Sequence, residues 1–191
     1  MFNKEEYNKE KFEDLKDIQK KIINKTFDTC EFINCDFSEC DFSKTKFLDC
    51  RFTNCNLSLI KIDDTRLSDV EFIDCKILGV NFGDVDPFML KISFKKTLIK
   101  NSYFTELKLI RTVFLECDIL DCEFSSVDLT SSDFSFTNLK NTYFRKCLLI
   151  DVNFLSSKDY SIDPTDNEIS SSRFSMPQIL GLLDYFDIKI E

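Results

Sequence analysis

Histidine and tryptophan are absent from this chain, and glycine and proline occur only three times each in 191 residues. Without histidine, the common nucleophile–base pairs and imidazole metal sites are excluded. With so little glycine and proline, the fold cannot rest on glycine-dependent tight turns, so its turns must be ones that ordinary residues make. No stretch approaches the ~18 apolar residues of a membrane span. The opening MFNKEEYNKEKFEDLKDIQKK is charged throughout and lacks the apolar core of a secretory signal. On this reading the chain is cytoplasmic, and its nine cysteines are mostly reduced. The formal net charge of −9 argues against direct binding of DNA or RNA, which uses cationic surface, and leaves room for a basic partner.

Phenylalanine, by contrast, occurs 21 times, and most copies fall at a fixed interval. Every fifth residue from Phe32 to Phe82, and again from Phe94 to Phe154, is large and apolar. Two places before each stands an uncharged, mostly small residue, beginning Cys30, Cys35, Cys40, Thr45, Cys50 and Cys55; all nine cysteines fall in this series. The other positions are mostly Asp, Glu, Asn, Lys and Ser.

Residues two apart on an extended segment share a face, so the small and the large residue both point inward. The pattern then resets after five, which requires a corner in every repeat. A helix of 3.6 residues per turn would smear a five-residue stripe around its cylinder. In the second run Phe alternates with Leu or Ile without exception, so opposite walls should carry like residues.

This spacing resembles the pentapeptide-repeat family, and the resemblance implies an all-β solenoid. It is a right-handed quadrilateral parallel β-helix with four repeats to a coil and short helical caps at both ends. At ~4.8 Å per coil the firm repeats give a rod roughly 29 Å long. The implied organisation is an N-terminal cap at 1–21, a first stack at 22–82, a phase break at 83–93, a second stack at 94–154, and a C-terminal loop, cap and dimerisation helix at 155–191. Phe12, Leu15, Ile18 and Ile22 have helical spacing, which predicts a capping helix over 4–20. Ile22, Phe27 and Met89 continue the period but follow the ill-fitting Lys20, Lys25 and Pro87, so they read as ragged ends. Between Phe82 and Phe94 the phase slips by two, which predicts either a bulge or a jog between two stacks. The stretch SSKDYSIDPTDNEISSSRF reads as loop. Ser175 and Pro177 then open a short helix whose apolar residues Ile179, Leu180, Leu182, Leu183, Phe186 and Ile188 are the expected dimer interface, with Ile190 beyond.

The chain offers no Gly-rich phosphate loop, and the C-x4-C spacings CEFINC and CDILDC are not those of zinc knuckles. Buried cysteine as a small hydrophobe explains them better. Cys35, Cys55 and Cys75, 20 residues apart, should stack within disulfide reach and are expected to remain thiols. The reading therefore assigns no catalytic, cofactor-binding or metal-binding residue and no cofactor.

The charges remain. Asp28, Glu31, Asp36, Glu39 and Asp41 form one base-free acidic run, and Glu116, Asp118, Asp121, Glu123, Asp128 and Asp133 form another. Lys91, Lys95, Lys96, Lys100, Lys108 and Arg111 form a basic belt between them. Outward positions of any solvated solenoid need charge, so these runs read either as solvation or as acidic strips that imitate a nucleic-acid backbone. The overall charge falls well short of DNA's one per ~1.7 Å, which confines mimicry to the strips.

Within the family, CEFINCDFSECDF, FLECDILDCEFSSVDLTSSDF and the tail DPTDNEISSSRFSMPQILGLLDYFDIKI resemble the Qnr-type quinolone-resistance proteins and the immunity proteins against gyrase-poisoning peptides. That resemblance implies a homodimer through the C-terminal helix, with DNA gyrase or topoisomerase IV as partner and no membrane association. From Phe94 to Phe154 the phase never slips, which leaves no place for the outward loops of the Qnr type and favours the loopless members. Two functions stay open: a topoisomerase-binding DNA mimic, and a structural or adaptor solenoid without topoisomerase activity. They differ in whether the acids line one continuous strip.

Overall fold

The computed structural model describes residues 2–186 and 188–189. Short strands, mostly of three residues, pair in parallel with partners 20 residues away, as Phe32 does with Phe52. Each coil therefore lies directly on the next, in a four-walled parallel β-solenoid of about eight turns.

The first wall carries Tyr7, Phe27, Phe47 and Leu67 inward, then Leu109, Leu129 and Leu149. The second is a ladder of phenylalanines at 12, 32, 52, 72, 94, 114, 134, 154 and 174. The third holds Phe37, Leu57, Ile77, Ile99, Ile119 and Leu139, and the fourth Ile22, Phe42, Ile62, Phe82, Phe104, Phe124 and Phe144. In the second half the opposite second and fourth walls are thus all phenylalanine. Their rings stack along each wall, as Phe104 on Phe124 at 4.5 Å, and meet across the core edge to face, as Phe114 with Phe124 at 5.9 Å.

Corners explain how so little glycine suffices. Two places after nearly every large inward residue the backbone is left-handed: φ is 55° at Asn34, 60° at Lys44 and 50° at Asp49. Such a backbone costs an L-residue about 1–2 kcal/mol. A backbone hydrogen bond to the next coil offsets it: Asn34 N–H donates to Thr53 O at 3.0 Å and Lys44 N–H to Asp63 O at 2.8 Å. Gly79 (φ 64°) answers a second constraint, since a Cβ there would lie 2.8 Å from Leu59 Cδ2.

The small inward residues do more than fill space. Their hydroxyls and thiols donate to the carbonyl of the inward residue one coil back. Thr65 Oγ1 reaches Phe42 O at 2.8 Å, Thr142 Oγ1 reaches Ile119 O at 2.7 Å, and Cys50 Sγ reaches Phe27 O at 3.4 Å. Cys, Thr and Ser share small size and one donor, which is what the position needs. All nine cysteines are buried free thiols.

Several expectations at the two ends need correction. The segment over 4–20 is not a helix: Glu6–Asn8 and Lys11–Glu13 are strands that pair with the coil above. Tyr7, Phe12 and Ile22 keep the five-residue period, and pairing satisfies a strand edge that a helix would leave open. Ile22 and Phe27 belong to the core, at 2% and 0% exposure. Phe2 closes the end by packing on Tyr7, Phe12 and Phe27 at 5.2–5.5 Å.

At the other end the presumed loop is a further coil. Leu148 bridges to Glu168, Asn153–Phe154 pairs with Arg173–Phe174, and Tyr160 and Ile162 are buried. Its small inward series continues at Ser157, Ile162, Asn167 and Ser172, but Asp159 and Pro164 stand where the large inward residues would fall, which hid it. The C-terminal helix is a single 3-10 turn, Gln178–Leu182, laid across that coil with Gly181 O accepting from Ile162 N–H at 3.1 Å.

The phase break is a bulge, not a junction of two stacks. Phe72 pairs with Phe94, Ile77 with Ile99 and Asn81 with Tyr103, all 22 apart, so three walls run through. The two extra residues enlarge the corner after Pro87. Met89 turns outward there, 67% exposed, and does not continue the inward series.

Candidate interaction surfaces

Residues on either side of each inward one point outward, and the coil register decides which of them meet. The eleven acids that form two runs in the sequence are dealt around all four walls. Asp28 and Asp128 lie on the first wall, Glu31 and Asp133 on the second, Asp36 and Asp118 on the third, and Asp41 and Glu123 on the fourth. Glu39, Glu116 and Asp121 stand at corners.

Along a wall, most of these acids then face a base or an amide. The second wall reads Lys11, Glu31, Arg51, Glu71; the third Lys16, Asp36, Asn56, Lys76; the fourth Lys21, Asp41, Lys61. Side chains one strand spacing apart (~4.8 Å) repel if alike, and alternation removes that repulsion. Among the described residues Glu116 pairs with Lys96, Asp121 with Lys100 and Glu123 with Arg145, at 4.0, 3.4 and 3.5 Å. Among the described residues no unbroken acidic strip runs along a wall. The basic belt is likewise dispersed, with Lys108 on the first wall, Lys95 on the second, Lys100 on the third, and Lys96 and Arg111 at corners.

Several acids also build the corners. Asp36, Asp41, Asp128 and Asp133 accept the N–H two residues on, from Ser38, Ser43, Thr130 and Ser135, at 2.9–3.0 Å. The Ser43 hydroxyl is the main cause that holds the Asp41 carboxyl below its usual range, helped by its N–H, Lys61 and Lys21 and opposed by desolvation. Asn141 does the same for Asp121, with Lys100 adding to it and desolvation opposing. Asp28 accepts from Asn8, Glu39 from Gln19 and Asp118 from Asn138, each across one coil.

Against this polar background a few large side chains stand out. On the fourth wall Tyr103 and Tyr143 are 52% and 47% exposed, with Glu123 between them and the Arg145 guanidinium 5.8 Å from the Tyr143 ring. At the bulge Phe88 and Met89 are exposed, and Phe88 lies 4.7 Å from the Arg66 guanidinium, which binds Asp86. Sequence reasoning passed over Tyr103, Tyr143 and Phe88. The available signal was an aromatic at a position that is mostly polar, directly before Phe104 and Phe144. At the C-terminus Leu180, Phe186 and Ile188 are exposed, Ile179 and Leu183 are half-buried, and Leu182 packs on the core; Ile190 lies outside the described residues.

Stacked coils with outward side chains at fixed spacing define the class: a solenoid repeat protein. Family models for the pentapeptide repeat region and for pentapeptide repeats match residues 25–87 and 128–158. The chain is a pentapeptide-repeat protein. No curated protein matches it in sequence. Two structures of trypsin-treated QnrB1 variants, described as a plasmid-mediated fluoroquinolone resistance protein, share its fold. One aligns at TM-score 0.69 and 16% identity over 95% of this chain and 100% of the other. The second aligns at 0.73 and 18% over 97% and 98%. Among the described residues no helix is long and apolar enough to cross a membrane.

Proposed function

We propose that this protein acts by binding a protein partner along its walls, as an adaptor or inhibitor and not as an enzyme. The fourth wall carries the reading: two exposed tyrosines about 10 Å apart, one beside an arginine, on an otherwise polar surface. Tyrosine and arginine dominate interface hot spots because they combine large contact area with a directional polar group. A photo-crosslinking residue at 143, introduced in the native host, should give one discrete adduct. Absence of a discrete adduct from both 103 and 143 would end this reading of the wall.

A more specific reading makes the partner DNA gyrase or topoisomerase IV, protected from quinolones or peptide poisons. The end-to-end likeness to QnrB1 favours it. Because acids and bases alternate on the walls, such mimicry of DNA would rest on rod shape and on Asp118, Glu123, Asp128 and Asp133 locally. A homodimer through the C-terminal turn would use the exposed Leu180, Phe186 and Ile188 with Ile179, Leu182 and Leu183 around them. The test is a gyrase supercoiling assay with and without a quinolone, beside a variant in which those four acids become Asn or Gln. Inhibition or rescue by the wild type alone supports the reading, and no effect on either host topoisomerase ends it.

A further inference from the structure

The bulge breaks one wall. On the first wall Arg66 bridges to Asp86 and Lys108 to Asp128, but among the described residues no bridge joins Asp86 to Lys108. In an intact corner the left-handed residue donates its N–H across the coils, as Thr29 does to Leu48 O. The counterpart at the bulge, Met89, has no hydrogen-bond acceptor for its N–H among the described residues, and neither has Lys108, whose equivalent Asp128 donates to Leu107 O.

Beside this gap lies a groove of about 630 Å³ between Met89–Ser93 and Lys108–Val113. Met89, Leu90, Ile110 and Val113 give it an apolar lining, and Ile110 is 50% exposed. Its charged rim is asymmetric. Asp69 is paired with Lys91 and Glu71 with Arg51, while Lys108 and Arg111 form no ion pair among the described residues. Local surplus charge is therefore positive on a chain whose net charge is −9.

We propose that this groove docks an extended, acidic–apolar segment of a protein partner. Its carbonyls meet the free N–H groups of Met89 and Lys108, its carboxylates meet Lys108 and Arg111, and its apolar side chain covers Met89 and Ile110. Unpaired strand edges flanked by an apolar pocket recognise extended peptides in this way, and the unpaired cations select acidic ones. The proposal rests on the protein-binding reading and gives it a site and a partner chemistry.

The test pans a phage-displayed library of random 12-residue peptides against the full chain. Selected peptides should combine Asp or Glu with a large apolar residue. The double variant Lys108→Glu/Arg111→Glu should weaken them at least tenfold, while Lys140→Glu/Lys158→Glu, elsewhere on the rod, leaves them unchanged. Deleting Leu90 and Lys91, which restores the five-residue phase, should abolish binding in a folded protein.

Selected peptides that bind the reversed variant equally well overturn the groove and leave the protein-binding reading standing. An empty selection also overturns the groove, and the wider reading then stands or falls on the crosslinking result. Binding of a labelled single-stranded DNA 20-mer through Lys108 and Arg111, or conversion of a dimer to a monomer by the reversal, would show a different occupant and overturn the proposal.

Discussion

Phe72 and Phe94 stack at 5.1 Å with their planes 12° apart, across the one point where the period of five slips. The ring ladder of the second wall therefore passes the bulge intact, and the chain behaves as one column. Phe94→Ala would leave a cavity between two packed coils and should cost about 3–5 kcal/mol. Urea unfolding should remain a single transition at a lower midpoint. Separate unfolding of the two halves would show instead that the ladder does not couple them.

The cap rests on Gly181. A Cβ there would lie 2.1 Å from the Tyr160 carbonyl oxygen, and backbone cannot move aside cheaply. Gly181→Ala should lift the 3-10 turn from the last coil and cost about 1–3 kcal/mol. Thermal melting measures the loss, and an unchanged Tm would mean that the turn is not seated there.

Burial pushes most of the thiols up, Cys75 excepted, which the Cys55 side chain draws down. Desolvation is the largest cause that pushes Cys50 and Cys117 up to about 12, and Cys122 and Cys147 up to about 11, against ~8.5 in an unfolded chain. Between those values the folded state holds more protons than the unfolded one, so stability falls as pH rises. The contribution is full below about pH 8 and is lost as pH rises through 11–12. The urea midpoint should drop between pH 8 and 10.5, and less so in Cys50→Ala/Cys117→Ala. A thiol reagent at pH 8 should react with none of the nine cysteines until urea is added.

Asparagine can replace aspartate at the corners without loss of the turn, because Asn56 and Asn153 already accept the Ser58 and Leu155 N–H at 3.2 and 3.1 Å. Asp128→Asn/Asp133→Asn should change stability by less than about 0.5 kcal/mol. Asp133→Leu, which abandons the Ser135 N–H and the Asn153 amide, should cost about 1 kcal/mol or more. The first variant thus separates charge from fold in the supercoiling assay.

Phe136 is left-handed at φ 58° and 62% exposed. Asn tolerates that backbone better, so Phe136→Asn should raise stability by about 0.5–1 kcal/mol in a thermal melt. A loss would show that the ring packs on a neighbour.

Five-residue periodicity determined the inward set from Phe32 to Phe154, the alternation of phenylalanine and aliphatic walls, and the small residue before each. Those follow from side-chain size and from the need to turn a corner in every repeat, both of which are local. At the ends the local signal misled. Phe12, Leu15, Ile18 and Ile22 carry helical spacing, yet a waiting strand edge at Thr26–Asp28 and Glu31–Ile33 pairs that segment as a coil. In the last coil Asp159 and Pro164 replace the large apolar residues, so the signal fades although the small inward series Ser157, Ile162, Asn167 and Ser172 and the 20-residue backbone register persist. Most of all, only the stacked structure decided which charges meet. Glu31, Asp36 and Asp41 are close in sequence but point from three walls, while each lies one strand spacing from a lysine 20 residues away. A surface read along the chain is acidic. Read across the coils, where side chains touch, each of these three acids meets a base.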